Sequence, residues 1–142
     1  DQDRGQRESF VWDLPGKDAA QSNWYPSTYS TALTVKPANQ QVLDQTSIYH
    51  YYKKWIAFRN QSTALSLGSI DEANLNIKEI ISFTRTYQDK SQWVLHNLAD
   101  VEIAIDIPTL LSDYNEIIFE TRGGTLKDKQ VFVPAFGTII LQ

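Results

Sequence analysis

Cysteine is absent from this chain of 142 residues, and histidine occurs twice, at positions 50 and 96. Neither disulfides nor thiolate-bound metal can contribute, and His50 and His96 alone cannot build a His-rich metal site, so no metal ligand is expected here. Excess positive charge is also lacking: 13 Lys and Arg stand against 17 Asp and Glu, a net charge of −4. Nucleic acid demands clustered cations, and apart from Lys53 and Lys54 the basic residues are scattered, which argues against such a partner. No apolar run approaches the ~20 residues of a membrane span, and no charged-then-apolar signal segment opens the chain. No membrane role is expected. Missing too are a Gly-x-Ser-x-Gly elbow and a phosphate-cradling loop; Arg122-Gly123-Gly124 lacks the Lys-Ser/Thr ending.

What is present suits one ordinary domain, or a small domain carrying an appendage. At 42% hydrophobic residues a sizeable core is affordable. Residues 1–43 show no sustained period and collect Gly, Pro, Ser, Asn and Gln among isolated aromatics, so they read as an irregular arm. A structureless stretch of that length is either functional or lies on a scaffold. The abrupt opening "DQDRGQ" suggests a segment of something longer. In "DQTSIYHYYKKWIAFRN", Ile48, Tyr51, Tyr52, Trp55, Ile56 and Phe58 recur at helical spacing, with Asp44, Thr46 and Ser47 as candidate caps and Asn60 as the close. The apolar stripe of this single long helix is wide and aromatic, which predicts docking against a large surface.

From about residue 64 the pattern turns to seven short β-rich runs, "ALSLGSI", "KEIISFTRTY", "QWVLHNL", "VEIAIDI", "NEIIFET", "QVFV" and "GTIIL", separated by turn signals. Val101, Ile103, Ile105 and Ile107 fall on one strand face, with Glu102, Ala104 and Asp106 on the other. The fold class is therefore mainly β, an antiparallel Greek-key sandwich preceded by one long α-helix and an irregular N-terminal arm. Trp93, inside a strand, is expected in the sandwich core.

Candidate chemistry is sparse. Both histidines sit where structural roles are natural. Asp1, Asp3, Glu8 and Asp13 are close in sequence, but a loop cannot by itself hold a carboxylate pair in register, so they read as solvated acids. Trp12, Trp24, Tyr25 and Tyr29, with Asn and Asp nearby, suit the apolar faces and hydroxyls of sugars, although composition by itself favours packing onto a neighbouring surface. Asn60-Gln61-Ser62 forms a glycosylation sequon.

Four stretches in order resemble the C-terminal part of the α-amylase superfamily, glycoside hydrolase family 13. "RESFVWD" is similar to the family's R-x-P-[MF]-x-W-[DY] segment, with Ser9 where proline is usual. "SNWYPSTYS" stands where several bacterial α-amylases carry Gly-x-x-Thr-x-Trp. "VLDQTSIYHYYKKWIAFRNQSTALSLGSI" matches the linked helix pattern, and "VFVPAFGTIILQ" is like the closing hairpin.

The resemblance implies a (β/α)8 barrel followed by an all-β domain C. Residues 1–63 would be the end of the barrel (the loop after strand 8, then helix 8), and 64–142 domain C. The family's catalytic carboxylates would lie on upstream strands, so none is expected here. Arg7, Trp12, Asp13 and Trp24 become the substrate-side candidates. The implied function is the non-catalytic C-terminal segment of a retaining α-glucan hydrolase, an α-amylase acting on α-1,4 bonds of starch and maltooligosaccharides, with domain C stabilising the barrel. The implied partners are the chain's own catalytic barrel and an α-glucan; the exposed helix face offers a route to self-association. No cofactor is expected in this segment, although Ca²⁺ is compatible with the parent barrel, and an extracellular or exported setting is favoured over a cytoplasmic one. The alternatives are the same segment of an α-1,6-glucosidase or α-glucosidase, or a stand-alone carbohydrate-binding β-sandwich.

Overall fold

A computed structural model describes residue 3, residues 6–31 and residues 33–142. These fall into two compact units, Asp1–Ala57 and Phe58–Gln142. From residue 33 onward the helices are α1 (Ala38–Leu43), α2 (Ile48–Gln61) and α3 (Thr63–Leu67). The strands are β1 (Ser69–Glu72), β2 (Ile80–Tyr87), β3 (Lys90–Asn97), β4 (Ile103–Asp106), β5 (Ile117–Glu120), β6 (Thr125–Lys127), β7 (Gln130–Val133) and β8 (Thr138–Leu141), with one 3₁₀ turn at Thr109–Leu111.

The strands form two antiparallel sheets, one ordered β1-β2-β3-β8-β5 and the other β4-β7-β6. The last strand, β8, inserts between β3 and β5, the non-local pairing a Greek-key sandwich requires. Alternation then sorts the side chains. Trp93, Leu95, Ile139 and Leu141 from the larger sheet meet Ile105, Val131 and Val133 from the smaller in one core, none more than 2% exposed. Trp93 lies in the core as expected, its indole N–H donating to Ser82 Oγ at 2.9 Å, which supplies the partner a buried ring nitrogen needs.

The other face of the larger sheet is partly covered. Helix α3 packs on β2 and β3, and Phe58 lies against Phe119 with ring centroids 4.4 Å apart. A bulge in β5 makes this contact available: Ile117 pairs with Leu141 and Phe119 with Ile140, so residues two apart face opposite ways. Ile117 then joins the inner core while Phe119 meets Phe58.

Four details depart from the sequence reading. Residues 63–67 of "ALSLGSI" are helical because Ser62 accepts the Leu65 N–H at 3.1 Å as an N-cap, and only from Ser69 does the run become strand. A strand the turn signals did not announce, β6, pairs with β7 through a two-residue hairpin in which Asp128 and Lys129 both have positive φ, 51° and 65°; that is the type I′ geometry, here without glycine. Val101 does not share the Ile103–Ile107 face but is 60% exposed, since the strand starts at Ile103. The arm, finally, is not wholly irregular, because α1 forms near its end.

Helix α2 runs as expected, with Ser47 just before it receiving the His50 N–H at 3.4 Å. None of its residues is buried, and Ile48, Tyr52 and Ile56 remain more than half exposed. They recur at intervals of four, so one helical face carries an uncovered aromatic and aliphatic stripe.

Candidate functional site

The candidate residues lie in the first unit, where polar clips take the place of a core. Glu8 is the principal one. Its carboxylate accepts the backbone N–H groups of Thr28 (2.7 Å), Tyr29 (2.9 Å) and Ser30 (2.6 Å). Burial pushes its carboxyl up, but hydrogen bonds from Thr28, Ser30 and Tyr29 outweigh that and hold it below the ordinary carboxylate range. Glu8 is thus no solvated acid: it ties "RESFVWD" to "SNWYPSTYS" across some twenty residues. Asp3 instead pairs with Arg7 at 3.0 Å on an exposed surface, and Asp1 lies outside the described residues.

Two further clips hold the arm. The Gln21 amide donates to the Phe10 carbonyl at 2.9 Å and accepts the Trp12 N–H at 3.3 Å, acting as a short strand partner for residues 10–12. The carbonyls of Val11 and Trp12 accept the Ala38 and Asn39 N–H groups at 3.0 and 3.1 Å, satisfying donors that the start of α1 leaves free. Asp13 reinforces this junction through Oδ1, which accepts Asn39 Nδ2 and the Leu14 N–H, each at 2.6 Å.

Of the four sequence candidates, Asp13 is half-buried and held on both sides, whereas Arg7, Trp12 and Trp24 are exposed. Trp12 rests on Phe10 with centroids 4.6 Å apart, and Trp24 on Tyr25 at 5.7 Å. Each tryptophan is therefore braced by a neighbouring ring yet keeps more than half its surface free. Such a braced, exposed ring suits the flat face of a sugar. A cavity of about 300 Å³ opens among the same segments, lined by Ser9, Asp13, Asn23 and Tyr25 among others. Sequence reasoning missed Glu8 and Gln21, whose partners are set by chain folding and by no local pattern.

The histidines are structural. His50 Nε2 meets the Val42 carbonyl at 2.8 Å, and His96 Nδ1 meets Thr138 Oγ1 at 2.7 Å. The sequon hydroxyl is also engaged: Ser62 Oγ donates to Gln92 Oε1 at 2.8 Å besides capping α3. Among the described residues, no group of three or more His, Asp and Glu side chains is placed to hold a metal ion.

Comparison with known proteins agrees with this architecture. Residues 80–140 match the family described as the alpha-amylase SusG C-terminal domain. Alpha-amylase 3 of Dictyoglomus thermophilum is 26% identical over 96% of this chain, which spans 27% of that protein. Oligo-1,6-glucosidase of Bacillus cereus is 30% identical over 60% of the chain, covering 16% of the enzyme. In structure, Eubacterium rectale Amy13B superposes with a TM-score of 0.79 over 93% of this chain and 26% of its own, at 21% identity, a likeness of fold. The chain thus spans about a quarter of the α-amylase it matches along nearly its whole length. Residues 80–140 are thus similar to an α-amylase C-terminal domain of the SusG kind, and over nearly its whole length the chain is similar to an α-amylase.

Proposed function

We propose that the intact protein is a retaining α-glucan hydrolase of the α-amylase type, cleaving α-1,4 bonds through a glycosyl-enzyme intermediate, and that this segment is itself inert. The observation carrying the reading is the relationship to an α-amylase over 96% of the chain, joined to a SusG-type domain at residues 80–140. In this reading residues 1–63 complete a catalytic barrel, and 64–142 brace it. The uncovered stripe of α2, with Ile48, Tyr52 and Ile56 open to solvent, supports a barrel as its partner, because an exposed apolar patch of that kind favours association. Arg7, Trp12, Asp13 and Trp24 then face the glucan side, and export is the setting that suits a polymeric substrate.

Two assays test this. The purified chain should release no reducing ends from soluble starch, and turnover would overturn its inert role. The intact protein should cut starch internally, giving mixed maltooligosaccharides; release of glucose alone would reject the amylase assignment. A second reading, an α-1,6-glucosidase, is favoured by the 30% identity to the Bacillus cereus enzyme, and preferential hydrolysis of isomaltose would select it. Sedimentation of the isolated chain over a concentration series reads whether the bare α2 stripe drives self-association.

A further inference from the structure

The sandwich carries a cavity of its own. It measures about 540 Å³, within the range of ligand pockets, roughly 300 to 1,000 Å³. Ile107, Thr109, Ser112, Asn115, Leu126 and Lys129 line it, and all six belong to the unit Phe58–Gln142. Its walls are fixed by backbone bonds. The Ile107 N–H donates to the Lys129 carbonyl at 2.9 Å, which pins the end of β4 to the β6–β7 hairpin, while the Leu111 N–H closes the 3₁₀ turn on the Pro108 carbonyl at 2.8 Å. The Asn115 N–H reaches the Gln142 carbonyl at 3.1 Å.

The lining divides by chemistry. Ile107 and Leu126 pack against the sandwich core and give an apolar floor, whereas Thr109, Ser112, Asn115 and Lys129 are exposed and give a polar rim. Among the described residues none of those four side chains takes part in a hydrogen bond or an ion pair, and no carboxylate lines the cavity to neutralise Lys129. Backbone geometry singles out the lysine. Its φ is 65°, in the left-handed region, which costs an L-residue stability at a hairpin position that glycine occupies freely. Strain of this kind at a cavity wall points to a use for the side chain. One ammonium and three uncharged donors around an apolar floor fit a molecule with an anionic head and a hydrocarbon body.

We propose that this cavity binds a small amphiphilic carboxylate, its hydrocarbon chain on Ile107 and Leu126 and its head at Lys129, Thr109, Ser112 and Asn115. Binding is then the reason the hairpin keeps Lys129 where glycine would be more stable. The site lies outside the arm and does not depend on the α-glucan reading.

Titration of the isotope-labelled full chain with sodium octanoate, below the concentration at which it forms micelles, tests this through amide resonances. Saturable movement is expected at Ile107, Ser112, Asn115, Leu126 and Lys129, with Thr28, Tyr29 and Ser30 unmoved. Each methylene added from butanoate through hexanoate to octanoate should tighten binding about two- to fourfold, the upper figure being that of a fully buried CH₂. The uncharged alcohol 1-octanol should bind roughly two- to tenfold more weakly than octanoate, and Lys129→Gln and Lys129→Gly should each lose a similar factor. Lys129→Gly is also expected to melt higher, so binding lost there cannot be blamed on a lost fold. Equal binding of octanol, or unchanged binding in both Lys129 variants, would overturn the proposal by removing its anionic head. Acetate binding as tightly as octanoate would overturn it by removing the apolar half. Movement confined to Ile48, Tyr52 and Ile56 would mean adsorption on the bare α2 stripe, and that result, like no movement at all, would overturn the site.

Discussion

The two units of this chain are held together by different physics. In Phe58–Gln142 a Trp, several Ile, Leu and Val close a dry core between two sheets. In Asp1–Ala57 the only buried residues among those described are Pro37 and Ser47, and order comes from Glu8, Gln21 and the Asp13–Asn39 contact. Burial of a large apolar side chain contributes about 1.5–3 kcal/mol, whereas a typical hydrogen bond contributes a net ~1 kcal/mol. The sandwich is therefore built to be stable by itself. The arm is built to be shaped by a few specific bonds, which suits a surface that meets a ligand or a larger scaffold.

The largest expected effect falls on the sandwich. Trp93→Ala should cost about 3–5 kcal/mol, read as a lower urea midpoint, because it empties the centre of the core and strands Ser82 Oγ. A loss below 1 kcal/mol would mean that the core is not the cooperative centre. Next comes Gly68→Ala. A Cβ there would lie 2.4 Å from the Ala64 carbonyl oxygen and 2.8 Å from that of Thr86, both backbone atoms, so α3 and β2 must separate. The expected cost is about 1–3 kcal/mol, and an unchanged melting temperature would show that the contact yields freely.

Breaking the arm should look different. Glu8→Ala is expected to leave the sandwich's unfolding midpoint nearly unchanged while amide exchange at Thr28, Tyr29 and Ser30 accelerates. Equal loss of both would mean that the units share one cooperative transition. The same clip carries a pH sign. Its folded carboxyl titrates below the ordinary 4.5, so its stabilising contribution is complete above that value and is lost as pH falls through the lower folded one. Exchange at those three amides should therefore quicken only in that acid range, and Glu8→Gln should abolish the pH step. The smallest effect is a gain. Lys129→Gly relieves a positive φ in the β6–β7 hairpin, and Asp-Gly is a favoured type I′ pair, so stability should rise by about 0.5–1 kcal/mol. A loss would show that the Lys129 side chain contributes more than the strain costs.

These contrasts also explain what could be read in advance. The strands around Trp93 and the helix at 48–61 follow from two- and four-residue periods, which are local. The residues 63–67 helix escaped because "ALSL" is apolar in either state, and the Ser62 cap decided it. The β6–β7 hairpin escaped because Asp128-Lys129 lacks the glycine that usually marks such a turn. In the arm, Trp12 and Trp24 stood out by residue type, whereas Glu8 looked like one more exposed acid until the fold brought residues 28–30 to it.

From the order of residues alone came the mainly β sandwich, its tryptophan centre, the aromatic helix and the kinship with α-amylase C-terminal parts, because periodicity and motif spacing are properties of the chain itself. Tertiary structure alone decided that Glu8 clasps the Thr28–Ser30 backbone, that a bulge turns Phe119 toward Phe58, and that Ser9, Asp13 and Asn23 border one cavity. Each of these depends on residues that are not sequence neighbours meeting in space, as far apart as Phe58 and Phe119, and only the energy of the assembled chain selects such meetings.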